Sequence, residues 1–227
     1  RKHSFPTRRS SDLERITSLV DNDTFQEYNL FAEHRATHFG MDKKKLPSDG
    51  VVTGSATIEG RQVFLASQDF TVAGGAVGEV HADKIVQMQM QSLKNGAPFI
   101  FMNDSGGARI QEGIDSLGAY GRIFFHNTLL SGVVPQISLI MGPCAGGAAY
   151  SPALTDFIIQ TRQAHMFITG PSVIKQVTGE DVSADELGGA DNQMMKAGNV
   201  HFIANDDRHA FEICQSLLSF LPNNNEE

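Results

Sequence analysis

The spacing of hydrophobic residues along the chain changes repeatedly between the two-residue period of strands and the longer period of helices. Runs of strand-forming residues at 51–58 and 62–69 flank Glu59-Gly60, and this glycine can adopt the positive φ of a tight hairpin turn. Apolar residues at helical spacing then predict a helix over 82–93, which the following Asn95-Gly96 would end. This part of the pattern predicts a hairpin followed by a helix.

Short apolar runs and helical segments continue to alternate after residue 96. The predicted strands are 99–102, 134–141, 157–160, 165–169 and 200–204, and the predicted helices are one that carries Ile114, Leu117, Phe124 and Thr128, then 171–177 and 207–220. Ser183 and Glu186 have the spacing of a capping box, which marks the start of another helix. Alternation of this kind indicates an α/β fold whose strands are covered on both faces.

The N-terminal region is predicted to be helical from Leu13 to Phe39. Asp23-Thr24 would cap its second part, a helix carrying Phe25, Tyr28 and Phe31. The polar run 41–47 ends in proline and predicts a loop.

The two ends of the chain differ from the rest in composition. Residues 1–12 hold four basic residues and one acidic residue, and we interpret them as a non-native or disordered leader. A transit peptide rich in arginine and serine is the alternative. Residues 222–227 are polar and are predicted to form a disordered tail. A single domain is therefore expected over residues 13–221.

Composition excludes several classes of protein. The chain of 227 residues carries a net charge of −8, which leaves no basic surface that could bind nucleic acid. No apolar run reaches the roughly 18 residues needed to span a bilayer, so no membrane insertion is expected. Cys144 and Cys214 are too few for a disulfide scaffold or a cysteine-built zinc site, and no metal is expected. The unusual feature that remains is 22 glycines, many of them clustered.

Two glycine-rich segments share one layout, in which an apolar strand leads through a glycine turn into a helix. They are Asn103–Ile110 and Gly142–Ala149. Each is predicted to leave unpaired backbone N–H groups at a helix start, where the helix dipole favours negative charge. Two such segments facing one cavity could stabilise an oxyanion formed during a reaction, an effect of about 3 kcal/mol per donor. The alternative is that these glycines serve tight turns and close packing alone.

Other catalytic sets are missing from the sequence, including HExxH, GxSxG, CxxC, the phosphate-binding loop and a dinucleotide fingerprint. His34 and His38 could share a helix face, but no partner ligands accompany them. Glu79-Val80-His81 and Glu112 could hold acid or base groups, although structural pairing or capping fits them at least as well. Cys144 is expected to be a small buried residue rather than a nucleophile. The sequence offers electrostatic stabilisers and no clear base, which indicates chemistry in which another group moves the proton.

Seven phrases of the sequence, in this order, resemble one family. They are DGVVTG from Asp49, QDFTVAGG from Gln68, GEVH from Gly78, NDSGGARIQEG from Asn103, GPCAGGAAYSPALTD from Gly142, MFITGP from Met166 and ELGGA from Glu186. Together they resemble the carboxyltransferase β subunit of biotin-dependent acyl-CoA carboxylases, of the propionyl-CoA carboxylase type. The α subunits of methylmalonyl-CoA and glutaconyl-CoA decarboxylases are similar. The match covers about residues 13–221 and corresponds to the N-terminal half of such a subunit.

This resemblance implies a crotonase-like (ClpP/crotonase) ββα superhelix, the N-terminal carboxyltransferase domain of a two-domain subunit. It implies that acyl-CoA binds to this domain while carboxybiotin approaches from the C-terminal domain of a neighbouring subunit. The implied reaction moves CO2 between carboxybiotin and the α-carbon of a short acyl-CoA, propionyl-CoA foremost, through an enolate held by backbone amides. In the family mechanism the biotin ureido nitrogen removes the α-proton, which agrees with the lack of a protein base.

The resemblance also assigns candidate site residues. The catalytic candidates are the backbone amides of five residues, Gly107, Ala108, Gly146, Gly147 and Ala148. The candidates for binding CoA are Gly106, Arg109 and Ala145. Arg109 could instead serve to organise its loop. One departure from the family is Ser48, where glycine is more usual, and we expect it to affect a surface turn alone.

The implied partners are acyl-CoA, a biotin carboxyl carrier with its biotin carboxylase, and further copies of the subunit in a homo-oligomer. Biotin would be carried on a partner and not attached to this chain. The expected location is the cytoplasm, or the mitochondrial matrix in a eukaryote. Two alternatives stay open: a decarboxylase α subunit that runs the transfer in reverse, and a CoA-binding or assembly fragment without turnover.

Overall fold

The computed structural model describes residues 12–227, so the expected leader at 1–12 lies outside the described residues except for Asp12. These residues form the strands β1 Gln26–Tyr28, β2 Val51–Ile58, β3 Arg61–Gln68, β4 Phe99–Ser105, β5 Gln136–Ala145, β6 Phe157–Thr161, β7 His165–Phe167 and β8 Phe202–Ala204. They also form the helices α1 Asp12–Leu19, α2 Glu79–Asn95, α3 Ile114–Leu130, α4 Gly147–Ala153, α5 Pro171–Thr178, α6 Ala184–Gly188, α7 Ala190–Asn192 and α8 Asp207–Phe220.

The strands pair into one mixed sheet in the order β1-β2-β3-β4-β5-β6-β8, and β7 pairs with the end of β5. β1, β2 and β3 pair antiparallel, whereas the pairs from β3 to β8 are parallel. Glu59 and Gly60 both have positive φ, 50° and 78°, as a two-residue type I′ hairpin turn requires. The predicted hairpin and the predicted α/β fold are confirmed.

Helices cover both faces of the sheet. On one face α1 and α8 pack against side chains that include Leu65, Ile100 and Leu139. On the other face α2 and α3 pack against Phe64 and Phe99. Because side chains alternate across a strand, two covered faces require apolar residues at nearly every position. The three layers leave the loops that follow β4 and β5 outside this core.

The prediction of helix over the whole of 13–39 is wrong beyond Leu19. Residues 26–28 form the edge strand β1, which pairs with Thr53–Ser55 of β2. Gly54 permits this approach, because a Cβ there would lie 2.2 Å from the carbonyl oxygen of Gln26. Asp23 and Thr24 cap no helix: Oγ1 of Thr24 donates to the carbonyl of Asp21 at 2.8 Å and accepts the N–H of Thr57 in β2 at 3.2 Å. Tertiary pairing therefore overrides the local helical pattern.

The turn before β2 is buried, which corrects the expectation of a surface turn at Ser48. Ser48 is 7% exposed, and Asp49 is fully buried. Ser48, Asp49 and Gly50 all have positive φ, at 53°, 48° and 75°. The left-handed region costs a residue with a Cβ about 1 kcal/mol, which explains why glycine suits position 48. The Nζ of Lys84 stabilises the turn by donating to the carbonyl oxygen of Ser48 at 3.0 Å.

The segment 222–227, which was expected to be disordered, is hydrogen-bonded to the domain. The side chain of Asn224 donates to the carbonyl of Gly96 at 2.9 Å, and the N–H of Asn225 donates to the carbonyl of Val133 at the same distance. The side chain of Asn223 accepts from Nε of Arg61 at 2.9 Å. Within the described chain, no helix is both long and apolar enough to cross a membrane.

Candidate active site

The two glycine segments lie side by side at the carboxyl ends of β4 and β5. These strands are neighbours in the sheet, and Ser105 pairs with Cys144 where they end. A Cβ on Gly107 would lie 2.8 Å from the carbonyl oxygen of Ala145, so only glycine permits this close approach. Loops at the carboxyl ends of parallel strands are the usual place for a ligand in an open α/β sheet. The two segments therefore lie together at one edge of the sheet.

The first segment does not lead directly into an α-helix, because a single 3-10 turn, Ile110–Glu112, follows it and α3 begins at Ile114. Instead it forms a parallel bridge with Val77. The N–H of Val77 donates to the carbonyl of Gly107, and the N–H of Arg109 donates to the carbonyl of Val77, both at 2.9 Å. In a trans peptide the N–H points opposite to the preceding carbonyl, so the N–H of Ala108 points away from Val77. It finds no acceptor among residues 12–227.

The second segment enters α4 through Gly146, whose φ of 58° and ψ of −126° suit glycine alone. Its N–H is already used, since it donates to the carbonyls of Phe167 and Ile168 at 3.2 and 3.1 Å. The next two amides, those of Gly147 and Ala148, have no acceptor within the described chain. The segment therefore presents two consecutive unpaired N–H groups.

Hydrogen bonding narrows the five amide candidates. The N–H of Gly107 donates to Oγ of Ser105 at 3.1 Å, so it is occupied, as is that of Gly146. Gly106 is exposed at the rim, and its N–H donates to the carbonyl of Gly74 at 2.9 Å. Ala145 is half-buried, with its carbonyl against Gly107. The amides of three residues remain unpaired among the described residues: Ala108, Gly147 and Ala148.

Arg109 is placed to organise its loop and not to contact CoA. Its side chain is 1% exposed. Nη1 donates to Oδ1 of Asp49 at 2.6 Å and to Oε1 of Glu112 at 2.8 Å, and Nη2 donates to the carbonyl of Ala76 at 2.8 Å. A guanidinium held inside the protein by two carboxylates is not available to a phosphate group. Of the two roles expected for Arg109, the geometry supports the second.

The acid–base candidates of the sequence are engaged in internal contacts. Nδ1 of His81 lies 2.8 Å from the carbonyl oxygen of Asp49, and Nε2 lies 3.2 Å from Nε2 of Gln68. Burial, together with the nearby charge of Arg109, lowers the pKa of His81 to about 3, so the ring is neutral near pH 7. Glu112 accepts from Arg109 and from the N–H of Glu79, at 2.7 Å for the latter. Structural pairing is the role that these contacts support for both residues.

Sequence reasoning missed Asp49 and Gln68 as members of this region. Both lie in phrases quoted for the resemblance, but no chemical motif singled them out. Asp49 is buried against Arg109, and Gln68 accepts the N–H of Asp104 at 3.1 Å. An aspartate next to glycine in a turn reads as exposed, so the sequence carries no signal for its burial.

The structure also gives the surroundings of Cys144 and of the two histidines His34 and His38. Cys144 is buried, as expected, and burial raises the pKa of its thiol, which leaves it inert. The predicted shared helix face of His34 and His38 is wrong, because residues 29–37 form no helix. Nε2 of His34 lies 2.8 Å from the carbonyl of Lys44. In the part of the chain that the structure describes, no group of three or more His, Cys, Asp or Glu residues could hold a metal ion.

An apolar groove of about 800 Å³ begins beside the second segment. Its walls come from α4, the end of β7 and α5. The residues that line it include Ala149, Tyr150, Ile168, Val173 and Val177. Ala149 directly follows the unpaired amide of Ala148, so the groove starts where the unpaired amides end. This arrangement suits a ligand that has an oxyanion at one point and an apolar portion beside it.

A family model described as the carboxyl transferase domain matches residues 5–227. The chain belongs to the carboxyl transferase domain family. The resemblance stated from the sequence is therefore confirmed. The match includes both glycine segments and the buried turn at Ser48-Asp49-Gly50.

Curated members of the family give the context. The 12S subunit of methylmalonyl-CoA carboxyltransferase from Propionibacterium freudenreichii subsp. shermanii is 63% identical over 94% of this chain and 41% of its own length. The alpha subunit of methylmalonyl-CoA decarboxylase from Veillonella parvula is 55% identical over 94% of this chain and 42% of its own length. The propionyl-CoA carboxylase beta chain of Saccharopolyspora erythraea is 56% identical over 93% of this chain and 39% of its own length. The chain spans about two fifths of the length of these relatives.

The fold of this chain is similar to those of solved structures in the family. A crystal structure of the transcarboxylase 12S hexamer, with methylmalonyl-coenzyme A and methylmalonic acid bound, has a TM-score of 0.95 and 62% identity, and covers 96% of this chain and 43% of that chain. The beta subunit of geranyl-CoA carboxylase from P. aeruginosa, at 24% identity over 94% of this chain and 40% of its own, shares the fold with a TM-score of 0.81. The expected crotonase-like fold is confirmed.

Proposed function

We propose that this chain is the acyl-CoA-binding part of a biotin-dependent carboxyltransferase, which moves CO2 between carboxybiotin and the α-carbon of a short acyl-CoA. The observation that carries the proposal is that three amides beside an apolar groove, those of Ala108, Gly147 and Ala148, have no acceptor among the residues that the structure describes. Amides fixed by backbone bonds need no reorganisation when charge develops, which makes them effective oxyanion donors.

The amides act on the thioester oxygen of the substrate. Loss of the α-proton turns the thioester into an enolate, whose negative oxygen accepts from N–H groups more strongly than the neutral carbonyl does. The enolate carbon then takes up the carboxyl group. Each well-placed donor stabilises the transition state by about 3 kcal/mol. Ala108 approaches from the first segment and Gly147-Ala148 from the second.

Biotin, carried on a partner protein, would supply the carboxyl group and accept the α-proton when it is bound. The acid–base candidates of this chain fit such a division of labour. His81 is buried and neutral, and Glu112 is paired with Arg109, so neither is free to take a proton from substrate. This chain holds and polarises the acyl group, while the proton acceptor is brought from outside.

The substrate that we propose is propionyl-CoA, with methylmalonyl-CoA as its carboxylated form. Three of the relatives are named for these two compounds, as carboxyltransferase, decarboxylase and carboxylase. An enolate lies between the two compounds in either direction. A decarboxylase α subunit therefore remains the second candidate, favoured by the 55% identity to the Veillonella parvula protein.

The proposed partners are a biotin carboxyl carrier with its biotin carboxylase, and further copies of this subunit. The resemblance supports the first, and the hexamer of the transcarboxylase 12S structure supports the second. We place the protein in the cytoplasm, or in the mitochondrial matrix of a eukaryote.

A pair of substitutions at Gly147 tests the role of the second segment. Both proline and alanine add a Cβ at 2.9 Å from the ring of Tyr120, but proline also removes the N–H. We expect Gly147→Pro to weaken binding of a nitronate analogue of the propionyl-CoA enolate at least tenfold relative to Gly147→Ala, because one donor is lost. Isothermal titration of the chain with the analogue and with propionyl-CoA measures this.

Two results would count against the proposal. Equal affinity of the two variants for the nitronate would remove the Gly147 amide from the oxyanion site. Failure of the unsubstituted chain to bind either CoA compound would contradict the acyl-CoA function itself.

A further inference from the structure

A buried cluster of charges lies behind the first glycine segment, on the side away from the unpaired amide. It consists of Arg109, Asp49 and Glu112, and we call it the Arg109 cluster. Nη1 of the arginine donates to both carboxylates, at 2.6 Å to Asp49 and 2.8 Å to Glu112. The side chains are 1%, 0% and 6% exposed in the order named. Opposite charges so shielded from water attract one another more strongly than pairs on the surface.

Both carboxylates also hold the first turn of α2. Oε2 of Glu112 accepts the N–H of Glu79 at 2.7 Å, and Oδ2 of Asp49 accepts the N–H of His81 at 2.8 Å. These N–H groups have no partner within the helix. The negative charge of a carboxylate also interacts favourably with the positive, N-terminal end of the helix dipole. The cluster therefore joins the turn at 48–50, the start of α2 and the segment 109–112 into one rigid unit.

The cluster is connected to the Ala108 amide through Ala76 and Val77. Nη2 of Arg109 donates to the carbonyl of Ala76, and the backbone N–H of the same arginine donates to the carbonyl of Val77, at 2.8 and 2.9 Å. Val77 in turn donates to the carbonyl of Gly107. Because that carbonyl belongs to the same peptide plane as the N–H of Ala108, its direction fixes the direction of the amide.

The surrounding backbone is shaped to admit this cluster. A Cβ on Gly78 would lie 2.3 Å from Oε1 of Glu112 and 2.5 Å from Nη1 of Arg109. Asp49 has a φ of 48°, a conformation that a residue with a Cβ keeps when its surroundings enforce it. The absence of a side chain at Gly78 and the positive φ of Asp49 therefore both allow the three charged groups to come together.

We infer that Asp49 and Glu112 are positioning residues that act through Arg109 to aim the N–H of Ala108 at the enolate oxygen. The inference rests on the proposed function only in naming the enolate oxygen as the group that accepts from Ala108. The hydrogen-bonded link from Arg109 through Val77 to the Ala108 amide does not depend on that function. Displacing a catalytic group by about 1 Å can cost on the order of 100-fold in rate, so the stiffness of this link matters for the chemistry.

Glu112→Gln is the test variant, because Glu112 is the least buried of the three charged residues and the change preserves its shape. Glu112 accepts from Arg109 with Oε1 and from Glu79 with Oε2, so a glutamine would have to turn its NH2 group, which cannot accept, toward one of these two donors. We expect hydrogen exchange of the Arg109 and Val77 amides to accelerate at least tenfold, measured by NMR on the full chain. We also expect the ratio of nitronate affinity to propionyl-CoA affinity to fall at least tenfold, with propionyl-CoA affinity little changed.

Glu212→Gln is the matched control, because it is the same substitution at a glutamate that also accepts from an arginine, Arg208, at 3.1 Å. Both residues lie on α8, which covers the face of the sheet opposite to α2 and α3. It should leave both the exchange and the affinity ratio unchanged. Glu112→Asp keeps the charge but shortens the reach, and it should give an intermediate effect on both. If the glutamine variant does not fold, the aspartate variant carries the same two measurements.

The outcomes separate this inference from the proposed function. Unchanged exchange at Arg109 and Val77 would overturn the mechanical link. Faster exchange with an unchanged affinity ratio would overturn the positioning role and leave a structural one. If the unsubstituted chain binds no CoA compound, the proposed function fails and takes the enolate target with it, while the exchange result still decides the link.

Discussion

His81 is a histidine that the fold keeps neutral. It is fully buried, and both ring nitrogens have neighbours, the carbonyl of Asp49 and the amide of Gln68. Burial and the positive charge of Arg109 hold its pKa at about 3, against 6.5 in an ordinary setting. The unfolded chain therefore binds a proton on this residue between pH 6.5 and 3, and the folded chain does not.

His81 contributes stability that is fully present above pH 6.5 and is lost as the pH falls toward 3. We expect the free energy of unfolding to drop by up to about 1.4 kcal/mol per pH unit through this window because of this residue. Urea unfolding of the protein and of His81→Gln at several pH values measures the difference. The exposed His38, changed to glutamine, is the control.

An equal pH slope in the His81→Gln variant and the unsubstituted protein would show that other groups cause the acid sensitivity. If His38→Gln also reduced the slope of unfolding free energy against pH, the acid sensitivity could not be assigned to His81.

At the level of residues, the sequence indicated two segments that could hold oxyanion donors, but not which of their backbone amides are unpaired. The glycine clusters at 106–107 and 146–147 mark the two segments. The bridge from Val77 to Ala108, however, joins positions 31 residues apart, and nothing local indicates it. For the same reason the sequence left the role of Arg109 open. Its buried partner Asp49 is 60 residues away along the chain.

Among the secondary-structure elements, those with strong local signals were predicted and those made by tertiary contacts were not. The β2–β3 hairpin, α2 and α8 follow from turn residues, caps and periodicity. The three-residue β1 depends on pairing with β2, which no local pattern encodes. In α3 the helix was predicted, but Ile114 and Leu117 lie on its exposed side, so apolar identity did not identify the buried face.

Arg15 links three elements and provides a prediction at this scale. From α1 its Nη1 donates to Asp104 at the end of β4 at 2.9 Å, and its Nε donates to Asp207 of α8 at 3.2 Å. Arg15→Met would leave the buried Asp104 without this partner. We expect a loss of about 3 kcal/mol in the free energy of unfolding, measured with urea.

Asp207→Asn removes the more exposed partner of Arg15, so it should cost less than about 1 kcal/mol. A comparable loss in the two variants would contradict the idea that the buried Asp104 is what makes Arg15 important.

For the molecule as a whole, apolar side chains next to the candidate site face solvent. Ile110 and Ile114 are 86% and 81% exposed, and Leu117 follows them on the next turn of α3. Exposed apolar residues that adjoin one another mark a surface for association, whereas isolated ones do not. The sequence could not predict this surface, because it placed Ile114 and Leu117 in a helix without deciding which side is covered.

We expect the 227-residue chain to self-associate as its concentration rises, because this surface is uncovered. The double change Ile114→Glu and Leu117→Glu should shift the protein toward monomer in sedimentation velocity. Phe220→Glu is the control, since Phe220 is equally exposed but lies at the end of α8. An unchanged distribution in the double variant would place the association elsewhere.

The two outermost strands of the sheet, β1 and β8, are each three residues long. An edge that short offers an incoming strand few free backbone groups, which is one way in which natural sheets resist amyloid-like stacking. The long strands β4 and β5, which would make an effective template for fibril growth, lie in the interior of the sheet with both edges paired. When this protein precipitates on heating, we therefore expect amorphous aggregates joined through apolar helix faces, and not ordered cross-β fibres.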